Sequence, residues 1–196
     1  MLVLKQNFVG ANNYASKYAR GFSLIELMIV VAILAIVAGF GIPAFNTWVA
    51  DTKTRTVAEA LQNGLRLAQT EAVRRGVQVQ FVLTNDAPVA TGVTQSTTGR
   101  NWVMQSMQRA NPGTVDAFIQ GANLNAVSNT SLVSASSATV TFNSLGRIVT
   151  PNSAVTYTLN TSVAGGRNLR VTLSQAGRIR MCDADKVLSA SNPDGC

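Results

Sequence analysis

The chain of 196 residues contains no histidine, so the commonest general base and metal ligand of protein chemistry is missing. It has only two cysteines, Cys182 and Cys196, whose spacing is not C-x-x-C and which have no further ligand residues around them. That argues against a zinc site or a dithiol redox centre. No Gly-x-Ser-x-Gly elbow, no Walker loop and no pair of acids at workable spacing occurs in the C-terminal two thirds. Catalysis and bound cofactors are therefore not expected. Charge is also nearly absent from one stretch: Phe22 to Ile42 is 21 residues long and carries a single ionisable side chain, Glu26.

That stretch is about long enough to span a hydrocarbon core of ~30 Å. No small-x-small site follows it, since Gly39-Phe40-Gly41-Ile42-Pro43 leads into more helix-forming sequence, so it does not read as an ordinary secretory signal. Lys17 and Arg20 precede it and place that flank in the cytoplasm by the positive-inside bias. A carboxylate inside a membrane-length segment costs roughly 2.5–3.5 kcal/mol on insertion scales and therefore reads as functional. The plainer reading of Glu26 is an acid tolerated near the interface of a simple anchor.

Gly21-Phe22-Ser23-Leu24-Ile25-Glu26 before the apolar run resembles the class III signal of type IV prepilins and type II secretion pseudopilins. The resemblance implies that a membrane peptidase and methyltransferase cuts after Gly21 and methylates the new N-terminus at Phe22. It also implies that Glu26 guides assembly by pairing with the N-terminus of a neighbouring subunit. Removing residues 1–21 as a leader would take away Lys5, Lys17 and Arg20 and leave 13 basic against 9 acidic residues, a net charge of +4. A polyanionic partner is permitted by this balance and not demanded by it. With the rest of the chain in an oxidising periplasm, Cys182 and Cys196 read as a disulfide.

Beyond the apolar run, Pro43 should kink the helix, helped by Gly39 and Gly41. Residues 44–76 continue as an amphipathic helix, with Val57, Leu61, Leu65, Ala68 and Ala72 on one stripe and Gly76 placed to end it. The period then changes to two at Val77, Val79, Phe81 and Leu83. Residues 84–137 read as long loops with minor strands at Trp102-Val103-Met104 and Ala117-Phe118-Ile119. Further strands are expected over 139–143, 147–150, 155–159, 168–174 and 178–182. The fold class is α+β: a long N-terminal helix (22–43 as membrane half, 44–76 as amphipathic half) packed on an antiparallel β-rich head, 77–196.

Two junctions repeat a pattern, Asn143-Ser144-Leu145-Gly146-Arg147-Ile148 and Ser174-Gln175-Ala176-Gly177-Arg178-Ile179. A three-residue loop with glycine in the left-handed position makes a type I turn plus bulge. With Gln175 to Gly177 as that loop, Thr172 pairs with Arg180, Leu173 faces Ile179 and Val171 faces Met181. A two- or four-residue loop sets arginines opposite leucines.

The long helix, β-rich head and C-terminal cysteines together resemble the GspH/FimT/FimU group of pilin-like proteins. The leading implication is a minor pilin of a type IV pilus, acting in the initiation or tip complex for pilus assembly and twitching motility. Its partners would be other major and minor pilins, and its place the bacterial inner membrane, with one span and a periplasmic head, before assembly into a filament. The alternatives are a GspH-type pseudopilin of type II secretion and a FimT-like pilin that binds DNA for uptake. Gly177-Arg178-Ile179-Arg180 matches the Gly-Arg-x-Arg stretch of DNA-binding members, which makes Arg170, Arg178, Arg180 and Lys186 candidate DNA contacts. Against DNA stand Asp183 and Asp185, the lack of aromatic platforms in this segment, and the ordinary occurrence of arginines on a solvated strand face.

Overall fold

A computed structural model describes residues 21–124 and 131–196. The leader read over 1–21, with Lys5, Lys17 and Arg20, lies outside these residues but for Gly21. The described residues form one helix, α1 (Leu24–Arg75), and nine strands: β1 (Val79–Thr84), β2 (Asn101–Met107), β3 (Val115–Ala122), β4 (Ser131–Ala135), β5 (Thr139–Phe142), β6 (Ile148–Thr150), β7 (Val155–Thr161), β8 (Leu169–Leu173) and β9 (Ile179–Asp183). By contact density the chain divides after Gly41, leaving Ile42–Cys196 as a compact unit.

Helix α1 starts where Ser23 accepts a hydrogen bond from the Glu26 N–H through its Oγ at 3.2 Å, an N-cap that satisfies one of the orphan donors of the first turn. Residues 21–46 are exposed throughout, in keeping with a segment that has no polar face. This is the one described helix long and apolar enough to cross a membrane, with a mean hydropathy of 2.7 over its most apolar window. Pro43 lies inside α1. From Ala50 onward one stripe is buried, and Val57, Leu61, Leu65, Ala68 and Ala72 are on it, as their spacing requires. The helix ends at Gly76, whose φ of 64° puts it in the left-handed region and whose N–H bonds back to the Ala72 carbonyl at 3.0 Å.

The strands make two antiparallel sheets, one in the order β3-β2-β1-β5-β6 and the other β4-β7-β8-β9. Buried residues of both sheets share one hydrophobic cluster with the α1 stripe, including Phe81, Trp102, Phe142, Tyr157, Leu159 and Leu173. Close approach of helix and sheet depends on Gly64, where a Cβ would lie 2.9 Å from the Trp102 ring.

The region from 84 to 137 is more ordered than its polar composition suggests. Besides β3, it holds β2, seven consecutive buried residues in the middle of a sheet, and β4, for which no strand was expected. Strand β2 was expected only at its apolar centre. Its flanks, Asn101, Gln105 and Ser106, are polar yet buried: Asn101 and Gln105 donate to the Asp86 and Ala90 carbonyls of the preceding loop, and Ser106 to the Ala117 carbonyl of β3.

The hairpin register agrees with the sequence reading residue by residue: Leu173 with Ile179, Thr172 with Arg180 and Val171 with Met181. Gly177 has φ 88°, and Ser174 and Gly177 make the two bonds of a bulged three-residue loop (Ser174 N–H to Arg178 O, 2.9 Å; Gly177 N–H to Ser174 O, 2.8 Å). The sister turn reproduces both bonds, from Asn143 N–H to Arg147 O and from Gly146 N–H to Asn143 O, each at 2.9 Å.

Candidate functional site

Two regions carry the chemistry singled out in the sequence. At the N-terminal junction, nothing among the described residues lies within 4 Å of a Cβ placed on Gly21, and Phe22 is 79 % exposed. Both residues of the Gly21–Phe22 bond are thus exposed. Ser23 and Glu26 form the first and last positions of a Ser-x-x-Glu capping pattern, so Glu26 also sits where a carboxylate favours the helix N-terminus. That pattern was legible in the sequence but passes unnoticed beside the membrane reading. Among the described residues the Glu26 side chain forms no ion pair.

The second region is the C-terminus of the head. Cys182, on β9, is bonded to Cys196 with Cα atoms 5.2 Å apart. The intervening segment folds back along the edge strand. Asp183 N–H donates to the Asp194 carbonyl at 2.7 Å, and Cys196 N–H donates to the Lys186 carbonyl at 3.0 Å. Asp183 is 3 % exposed and takes the Arg167 guanidinium at 2.7 Å and the Lys186 ammonium at 3.5 Å. Burial pushes its carboxyl up, but the hydrogen bond from Arg167, the Asp185 N–H and the charges of Arg167 and Lys186 outweigh this and hold it below the usual range. Asp194 binds Lys186 at 2.8 Å and is lowered chiefly by that hydrogen bond. Beside this ion network lies a cleft of about 470 Å³ with Trp48, Leu169 and Met181 on its apolar side and Asp51, Arg167 and Asp183 on its polar side.

The four candidate DNA contacts are separated by their partners. Arg178 is exposed and makes no side-chain bond among the described residues. Arg180 reaches the C-terminal segment and donates to the Gly195 carbonyl at 2.7 Å. Lys186 is held by Asp194 and Asp183. Arg170 lies opposite Cys182, half-buried, with its Nε buried and unpartnered. Sequence alternation puts Arg170, Arg178 and Arg180 on one face but cannot show that Arg180, and Lys186 beyond the strand, are engaged by the chain's own acceptors.

A helix with a methylation-type N-terminus and an amphipathic second half covering antiparallel sheets defines the class of pilin-like proteins. Residues 16–42 match the model of the prokaryotic N-terminal methylation motif, and residues 57–177, more than half the chain, match that of type II transport protein GspH. The chain belongs to the GspH family, which consists of structural pilins and pseudopilins. It is 33 % identical over 102 residues to the type IV major fimbrial protein FimA of Dichelobacter nodosus (strain VCS1703A), covering 52 % of this chain and 57 % of that one. It is 40 % identical over 83 residues to a fimbrial protein of Pseudomonas aeruginosa, covering 41 % of this chain and 53 % of that one. The chain thus spans little more than half the length of these relatives. The fold is similar to that of the type IV minor pilin FimU of Pseudomonas aeruginosa (strain PAO1), with a TM-score of 0.52 at 20 % identity, over 69 % of this chain and 92 % of that one. The methylation motif and the apolar helix point to membrane anchoring.

Proposed function

We propose that the chain is a minor pilin of a type IV pilus, acting in the initiation or tip complex for pilus assembly and twitching motility. Residues 1–21 are the leader, 22–43 the membrane and filament-core half of the helix, 44–76 its amphipathic half and 77–196 the head. Cleavage after Gly21 and methylation of Phe22 by a prepilin peptidase and methyltransferase leave an amine four residues from Glu26. The protein waits in the inner membrane with its head in the periplasm.

The observation that carries this reading is Glu26: the one ionisable side chain of the apolar stretch from Phe22 to Ile42, with no cation beside it among the described residues. Leaving such a group unpaired in a low-dielectric medium is costly, whereas the terminal amine of a neighbouring subunit offers a partner. The fimbrial relatives support the pilus over the type II secretion machine, where the same residues would serve a pseudopilin.

The test is Glu26→Val in the producing cell. The variant should insert in the inner membrane at the wild-type level, be processed to an N-terminal methyl-Phe22, and be depleted from sheared filaments. Normal incorporation would refute the pairing argument. A deletion strain should lose twitching and keep exoprotein secretion; the reverse result assigns the chain to the secretion system.

A further inference from the structure

We propose that the end of the head where the two glycine–arginine turns meet is a docking surface for the head of a different filament subunit, one that presents acidic side chains around an apolar centre. The proposal rests on the reading of the chain as a filament subunit and specifies which face it uses.

The two turns belong to different sheets, β5-β6 and β8-β9. They are fastened together by Gln69 of α1, whose Nε2 donates to the Gly146 carbonyl at 2.7 Å and to the Gly177 carbonyl at 3.0 Å. Ile148 N–H adds a bond to the Gln175 carbonyl at 3.2 Å. A Cβ on Gly177 would collide with the Gly146 carbonyl, so the turns touch backbone to backbone. What these turns display is therefore held rigidly, and little ordering entropy is lost when a partner binds.

The display is apolar at its centre and cationic around it. Leu145, at the tip of the first turn, is 78 % exposed, and Val73 of α1 is 54 % exposed. Gly146 packs beside Val73, with a Cβ position 3.5 Å from the Val73 Cγ2. One exposed leucine alone signifies little, but this one stands on a fixed turn next to a second exposed aliphatic. Arg147 and Arg178 each directly follow one of the two touching glycines. Arg66 lies on the same helix face, three residues before Gln69 and seven before Val73. All three arginines are exposed, and none has a side-chain partner among the described residues.

The composition of the patch selects the partner. A nucleic-acid backbone would satisfy the guanidinium groups but leave Leu145 and Val73 in water. A protein surface covers both, and arginine beside apolar anchors is the usual make-up of energetically important contacts. A second copy of this chain is poorly suited, because its described head carboxylates are largely engaged. Glu59 is paired with Arg55, Glu71 with Arg74 and Arg75, and Asp183 and Asp194 with Arg167 and Lys186. Asp51, Asp86 and Asp185 accept backbone N–H groups, and the exposed Asp116, to which the Ser106 hydroxyl donates at 3.5 Å, is one carboxylate against three arginines. The complementary charge therefore has to come from another subunit.

The experiment places photoreactive benzoylphenylalanine at Leu145 of the full chain in the producing cell, and in parallel at Val187, which is 81 % exposed on the C-terminal segment. Irradiated filaments and membranes are analysed by mass spectrometry of the adducts. The expected result is an adduct from position 145, and not from 187, to a different protein with its own apolar N-terminal segment behind a glycine. Adding Arg147→Glu and Arg178→Glu should lower its yield by about tenfold or more, since like charges then face each other across the interface. Adducts to nucleic acid or to a second copy of the chain overturn the proposal, as does a yield unaffected by the charge reversals. If the chain is in sheared filaments but position 145 gives no adduct, the surface alone is refuted. If the chain never enters filaments, the subunit reading falls as well.

Discussion

A single side-chain amide joins both sheets of the head to the helix, and removing it should be disproportionately costly. Gln69 is half-buried and its Nε2 serves the Gly146 and Gly177 carbonyls at once. In Gln69→Leu the helix former and most of the side-chain volume are kept, while both donors vanish. Each hydrogen bond contributes about 1 kcal/mol net, and an acceptor left without a partner in a part-buried site adds to the loss. The expected destabilisation is about 2–3 kcal/mol. For a unit of this size each kcal/mol lowers the melting temperature by about 2–4 °C, so the shift should be roughly 5–10 °C. The assay is thermal unfolding of the oxidised compact unit Ile42–Cys196, followed by circular dichroism. Asn63→Ala, on the exposed side of the same helix, should stay within about 0.5 kcal/mol of wild type.

Gln69→Glu sharpens the test. A carboxylate facing two carbonyl oxygens repels both, so the folded state favours the protonated acid and raises its pKa above the unfolded value. The penalty is then absent at low pH, where both states are protonated, and accumulates as pH rises through the unfolded and then the folded pKa. The deficit of this variant against wild type should accordingly be larger at neutral pH than in mild acid. A Gln69→Leu shift no greater than that of Asn63→Ala, or a Gln69→Glu deficit that is flat with pH, would refute the idea that this amide clamps the two turns.

Two further outcomes are expected. The Cys182→Ser/Cys196→Ser double variant should lose about 3 kcal/mol in urea unfolding, because it frees a loop of about 15 residues in the unfolded chain, and reduced wild type should match it. Glu71, held down to about 2 by hydrogen bonds from Arg74 and then Arg75, contributes stability that is complete above the unfolded carboxyl range and is lost as pH falls from about 4.5 toward 2. Glu71→Gln should flatten that part of the stability–pH curve, and an unchanged curve relative to wild type would show that the pairing adds nothing.

The helix and the last hairpin were legible in the sequence for definite physical reasons. The α1 stripe repeats at three and four, Gly76 marks its end, and the Ser174–Arg178 loop permits one register that keeps Leu173, Val171, Ile179 and Met181 together. Strand β2 was harder to read because Asn101 and Gln105 are buried through bonds to loop carbonyls and Ser106 through one to β3, which hides the apolar pattern that normally betrays a strand. The repeated glycine–arginine turns could be seen, but their contact could not. It depends on two sheets being brought to the same helix residue, 77 positions from one turn and 108 from the other. The Glu26 carboxylate could be found because a charge in an apolar run stands out, while its capping partner Ser23 was hidden in plain view.

The C-terminal cations show where counting residues misleads. Arg178, Arg180 and Lys186 look like one basic patch when read along β9, and the net charge suggests a surplus available to a polyanion. The disulfide alters this by returning the chain end to the strand it left, which brings Asp194 and the Gly195 carbonyl onto Lys186 and Arg180. A phosphate approaching that face would have to displace partners already at 2.7–2.8 Å, giving up bonds about as good as those it offers. Arg178 stays outside this network: it follows Gly177 in the turn that touches Gly146, and its side chain makes no bond among the described residues. Among the described residues, Arg147 and Arg178 at the joined turns are thus left free of partners, while the same closure occupies Arg180 and Lys186 with the chain's own acceptors.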